Sequence, residues 1–108
     1  MVHDPGLRHR LLSLADADRR AEAGALPELR ARNARELELM VDEDGWPTVD
    51  EAGLDGAEAA LLLAMNAIGR PALMRRCLTF IKAAAARGDL PADHAERLEA
   101  RLRVLEEA

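Results

Sequence analysis

Apolar residues recur three or four positions apart along the chain, and prolines and glycines cut that pattern into five segments. Leu7, Leu11, Leu14 and Ala15, with Leu12 at the margin, form the first stripe and predict a helix over about Pro5–Ala23, capped by Asp4. Leu29, Asn33, Leu37, Met40 and Val41 predict a second over about Pro27–Asp44, in which Asn33 interrupts an apolar face at helical spacing. The third stretch, about 57–68, is apolar on every side except at Glu58 and Asn66. A helix of that kind is buried all round, so it is predicted to be the centre of the fold. Asp55 and Glu58 stand in the capping-box relation at its start, and Gly69 before Arg70-Pro71 stops it. Leu73, Met74, Cys77, Leu78, Ile81 and Ala84 or Ala85 predict a fourth helix over about Pro71–Arg87. Ala95, Leu98, Leu102 and Leu105 predict a fifth over about Pro91–Glu107.

The punctuation agrees with those stripes. Pro5, Pro27, Pro71 and Pro91 fall in first turns, where a missing N–H costs nothing, and Gly24, Gly45, Gly69 and Gly88 fall at helix ends. A left-handed Gly45 would fold Trp46 back on Val41 in a Schellman ending, while Pro47 holds Trp46 extended. Trp46 is then a plug on the end of the second helix or, left exposed, an anchor for a partner. Thr48-Val49-Asp50-Glu51 makes one short turn before Gly53. There is no repeat, low-complexity tract or linker, and 108 residues make a single domain, 1–108. The expected fold class is all-α: a compact five-helix bundle around a buried central helix.

Composition sharpens this picture. Ala, Leu, Arg and Glu dominate, Tyr is absent and β-branched residues are scarce, as helices require. The net charge of −5 argues against a general nucleic-acid binder. The single cysteine, Cys77, excludes an internal disulfide. The first residues lack a basic region followed by an apolar run, and no apolar run approaches the ~20 residues of a membrane span. A cytoplasmic protein that does not enter the membrane is expected. Charge is also segregated: nine acids and no base lie from Glu36 to Glu58, and five bases and no acid from Ala59 to Gly88. Either the acidic end of the second helix lies near the fourth, or Arg75, Arg76 and Lys82 form a surface that attracts a protein partner. Arg75, Thr79 and Lys82 share a face that can touch phosphates, but no aromatic residues accompany them for base stacking.

No complete set of catalytic or metal-binding residues is visible. Asp42-Glu43-Asp44-Gly45 begins like a calcium loop, yet Trp46, Pro47 and Gly53 stand where a third oxygen ligand, a glycine and a glutamate are needed. Cys77 has no second cysteine beside it, His3 and His9 lie near the terminus, and His94 has only Glu96 two residues on. No metal and no cofactor are expected. Cys77 lies on an apolar stripe, where a thiol is an inert small hydrophobe, and Ser13 has no partner. What remains is Asn33 and Asn66. An unpaired buried amide costs ~1–3 kcal/mol, so each needs partners. Either they join the second and third helices by hydrogen bonds, or both face a bound molecule in a polar pocket that Trp46 and Arg101 complete.

The order Asn33…Leu37, Gly45-Trp46-Pro47-Thr48, Gly56-Ala57 opening an apolar helix, Gly88 and a final Arg-bearing helix resembles a bacterial family of small helical domains of unknown function. The resemblance covers about Leu29–Glu107. Members of that family carry Gly-Trp-Pro after the second helix, Gln-His-Ala in the central helix, Asp-Arg in the last, and a Tyr-Gly-Thr-Gln tail. Here Met65-Asn66-Ala67 replaces Gln-His-Ala, Ala100-Arg101 replaces Asp-Arg, and the chain stops at Ala108 before any such tail. If that His and Asp work as an acid–base or ligand pair in the family, the resemblance implies a divergent member without the pair. The expected function is a non-enzymatic helical interaction module, an adaptor, regulator or accessory subunit, that associates with itself as a two-fold dimer or with a protein partner. The alternative is a small-molecule or peptide-binding protein, or an atypical enzyme, with its pocket at Asn33, Trp46, Asn66 and Arg101.

Overall fold

Five α-helices make up the described part of the chain, residues 4–107, in a computed structural model. They are α1 (Pro5–Arg20), α2 (Leu26–Asp44), α3 (Val49–Met65), α4 (Pro71–Ala86) and α5 (Ala92–Glu107), with no strand among the described residues. α3 packs against each of the other four. Ala57, Ala59, Ala60, Leu61, Leu63 and Ala64 are all essentially without exposure, as an all-round apolar helix requires. The fold is the expected five-helix bundle around a central helix.

Its start and end differ from the sequence reading. The capping box is not Asp55/Glu58 but Thr48/Glu51: the Glu51 N–H donates to Thr48 Oγ1, and Glu51 Oε1 accepts from the Thr48 N–H and hydroxyl. The short turn at 49–52 thus belongs to α3, which kinks at Gly53 (φ 76°, ψ 165°), a conformation essentially reserved for glycine. Asp55 and Glu58 are drawn to other helices instead. Asp55 is bonded by the Arg8 guanidinium of α1, and Glu58 by Arg97 of α5. α3 also ends at Met65, three residues before Ile68, with Asn66 as its C-cap. Pro71 opens α4 and excludes a helical Arg70 (φ −132°, ψ 67°), so the reversal must fit into residues 66–70.

Gly56 provides room that the kink in α3 needs, on the side that faces α1. A Cβ there would lie 2.8 Å from the Ala52 Cβ and 3.6 Å from the Arg8 Cα of α1. Gly45 has the positive φ expected of it (78°), but its ψ of −170° carries the chain on extended, so no Schellman motif forms. Trp46 is buried in the core beyond α2. The Schellman ending occurs at Gly88 (φ 83°): the Asp89 N–H donates to Ala84 O (2.9 Å) and the Gly88 N–H to Ala85 O (3.0 Å). α1 ends at Arg20, short of Ala23, because its inward stripe runs out after Asp18. Ion pairs Arg70–Glu38 and Arg76–Asp42 join α4 to the acidic half of α2, so the segregated charges do meet within the molecule.

Candidate functional site

Asp18 is the last inward position of α1, and at 4% exposure its carboxylate must be paired. Two donors reach it. Arg30 Nε of α2 lies 3.2 Å from Oδ1, and Asn66 Nδ2 at the end of α3 lies 2.9 Å from Oδ2. Three helices are therefore tied at one carboxylate. Asn33, 3% exposed and one turn beyond Arg30, donates Nδ2 to the Leu14 carbonyl of α1 at 3.3 Å. Neither amide donates to the other. The contact expected between the second and third helices runs through α1, because Asp18 and the Leu14 carbonyl supply the acceptors.

Beside this knot a cleft of about 530 Å³ opens between the start of α2 and the α3–α4 turn. Its walls are Leu26, Pro27, Ala31 and Ala34 on one side and Ala67 and Ile68 on the other. Arg30, Asn66 and Arg70 are its polar members. Arg30 is held by Asp18, and Arg70 makes a two-pronged bond to Glu38 (3.0 and 2.9 Å). Both cations already face a carboxylate, so the cleft offers apolar walls rather than a free charge. Its volume falls in the roughly 300–1,000 Å³ range of ligand pockets.

Of the four residues expected to share a pocket, only Asn66 lines this cleft. Trp46 is 5% exposed and lies past the far end of α2, about 20 Å from Arg30 at roughly 1.5 Å per helical residue. It is in the core, not left out as an anchor. Arg101, half-buried, donates Nε to the Met65 carbonyl at 3.4 Å and so finishes the end of α3 from α5. Arg75, Arg76 and Lys82 are exposed on α4, each beside an acid: Glu106 at 3.9 Å, Asp42, and Glu99 at 3.0 Å. Exposed pairs of this kind stabilise by only ~0–1 kcal/mol and leave the side chains free to exchange partners.

Nucleophilic chemistry finds no support at Cys77. Burial, as the largest cause, pushes its thiol up to about 12, and Glu38 adds to the rise, so the reactive thiolate is suppressed. The arrangement that sequence reasoning missed lies on α3 two turns before Asn66. There Glu58 meets Asp93 and His94 of α5, with one ligand-capable atom from each within 4.8 Å of the others. In sequence His94 has only Glu96 nearby on its C-terminal side, whereas its polar neighbour in space, Glu58, is 36 residues away. The only signal was Glu58 itself, a charge on an otherwise apolar helix. Compared with known proteins, the chain matches no family model, no curated protein and no solved structure.

Proposed function

We propose that this protein is a non-enzymatic helical interaction module that pairs with a second copy of itself through the cleft between α2 and the α3–α4 turn. The observation that carries this reading is the apolar cleft with Ile68 at its edge, 42% exposed. In a two-fold dimer the same patch serves both copies, so Ile68 of each copy enters the other's cleft. Burying an Ile side chain that is now partly wet contributes part of the ~1.5–3 kcal/mol of full burial, twice per dimer. The surrounding Arg30 and Arg70 remain paired to Asp18 and Glu38 and need not be stripped of water alone.

Light scattering coupled to size exclusion tests this directly. The wild type is expected to run as a dimer at tens of micromolar, an order-of-magnitude concentration that reveals any interface of about −7 kcal/mol or better. Ile68→Asp is expected to run as a folded monomer. A wild type that is monomeric throughout overturns self-association.

A second reading, a small-molecule or peptide-binding protein, is favoured by one fact: the cleft has the size and apolar lining of a ligand pocket, with Asn66 as an orienting amide. Native mass spectrometry of freshly purified protein separates the two. A co-purifying small molecule lost in Asn66→Leu supports the second reading, and bare dimeric polypeptide supports the first.

A further inference from the structure

We propose that Glu58, Asp93 and His94 form a binding site for a divalent transition-metal ion of the zinc class. His94 is 0% exposed, and neither of its ring nitrogens has a hydrogen-bond partner among the described residues. A buried polar group without a partner is uncommon in a folded protein and calls for an explanation. Its Nε2 lies 3.4 Å from Oε1 of the Glu58 carboxylate. That separation is long for a hydrogen bond, which favours ~2.7–3.2 Å. It equals the edge of a tetrahedron whose corners lie roughly 2.0–2.2 Å from a central ion, the bond lengths zinc makes to nitrogen and carboxylate oxygen. Asp93, adjacent to His94 in the first turn of α5, brings the third ligand atom within 4.8 Å of the other two.

The cluster already attracts a cation. Arg97 Nη1 lies 2.9 Å from Glu58 Oε2 and 3.4 Å from Asp93 Oδ2, bridging the same two carboxylates a metal would take. Its side chain is 44% exposed, so it can swing into water when an ion arrives. A metal ion adds the one bond Arg97 does not make, the bond to the imidazole. One nitrogen and two carboxylates select a borderline ion such as Zn²⁺ over Ca²⁺ or Mg²⁺, which prefer all-oxygen shells. Three protein ligands leave a fourth position open to water.

The test is a calorimetric titration of the chelator-washed full chain with Zn²⁺ alone, followed by the same titration of variants whose helicity is checked by circular dichroism. One ion per chain is expected, with a rise in the thermal midpoint because the ion binds only the folded form. Glu58→Gln and Asp93→Asn are each expected to weaken binding more than about tenfold, since even the loss of an outer-shell partner costs ~10–100-fold. Arg97→Gln is expected to tighten binding by removing the resident cation, and a merely structural cluster would not respond that way. Excess Ca²⁺ should not compete. The proposal is overturned if no one-to-one binding occurs, if Glu58→Gln and Asp93→Asn bind as the wild type does, or if a His3→Gln/His9→Gln double variant abolishes binding. Should Glu58→Gln fail to fold, Asp93→Asn and Arg97→Gln decide the matter, because both side chains lie at the exposed rim.

Discussion

Asp18 and His94 are both ionisable, both buried and both tied to partners far away in sequence, yet the fold treats them in opposite ways. Asp18 is met by a guanidinium and an amide, from two different helices, at hydrogen-bond distance. The His94 ring has a carboxylate set slightly too far away, and no hydrogen-bond partner among the described residues. A buried charge with all its donors in place is explained by the fold it holds together. A buried ring with idle nitrogens is not explained by the fold, and the side chains around it have the composition of a metal site. Between these two residues the difference lies in satisfaction rather than burial.

The largest effect that follows is on the Asp18 side. Removing one member of a buried ion pair costs ~3–5 kcal/mol, because the charge left behind is uncompensated. Arg30 is one-third exposed and Asn66 would still donate to Asp18, so Arg30→Ala is expected to lose about 2–3 kcal/mol. Urea unfolding followed by circular dichroism measures it. A loss below ~1 kcal/mol, the value of an exposed pair, would mean that Asp18 is hydrated and would remove the contrast with His94.

The local part of this architecture was legible in the sequence and the long-range part was not. Stripes such as Leu73, Met74, Cys77 and Ile81 name the buried face of α4 because helical periodicity is a property of neighbouring residues. Gly88 is readable as a stop for the same reason. The capping box was misplaced because Asp55/Glu58 and Thr48/Glu51 carry equivalent spacing; what distinguishes them is Arg8 and Arg97 pulling the first pair toward α1 and α5. Asn33 and Asn66 were recognisable as residues that need partners. That the partners would be the Leu14 carbonyl and Asp18 depends on how α1 crosses α3, which no periodicity reveals. Glu58 and His94 meet only once α3 and α5 are packed.

His94→Leu sharpens the comparison from the other side and has a smaller expected effect. Leucine removes two polar atoms that have no hydrogen-bond partners among the described residues, a change that is near neutral or stabilising. The variant is expected to unfold within about 1 kcal/mol of wild type in the absence of metal, or at higher urea. It should also lose Zn²⁺ binding. A loss of several kcal/mol without metal would show that the imidazole is held by partners after all, and His94 would then join Asp18 as scaffold.

The smallest effect belongs to the exposed pairs, which have a partner but no burial. Lys82 holds the Glu99 carboxyl below its ordinary value of 4.5, and Arg8 holds Asp55 below 3.8, in each case chiefly through a direct hydrogen bond. A carboxyl depressed in the folded state contributes stability that is complete above its ordinary value and is lost as pH falls through the depressed one. Lys82→Gln should therefore melt slightly below wild type at pH 6, with the gap closing as the pH drops below 4.5. Added salt should narrow the same gap at pH 6, because both partners lie in water within reach of screening ions. Arg30→Ala should keep its deficit in salt, since Asp18 is shielded from those ions. Thermal melts of both variants across salt and pH compare them directly. If the Arg30→Ala deficit shrinks with salt as fast as that of Lys82→Gln, Asp18 behaves as a surface carboxylate and burial has not set it apart.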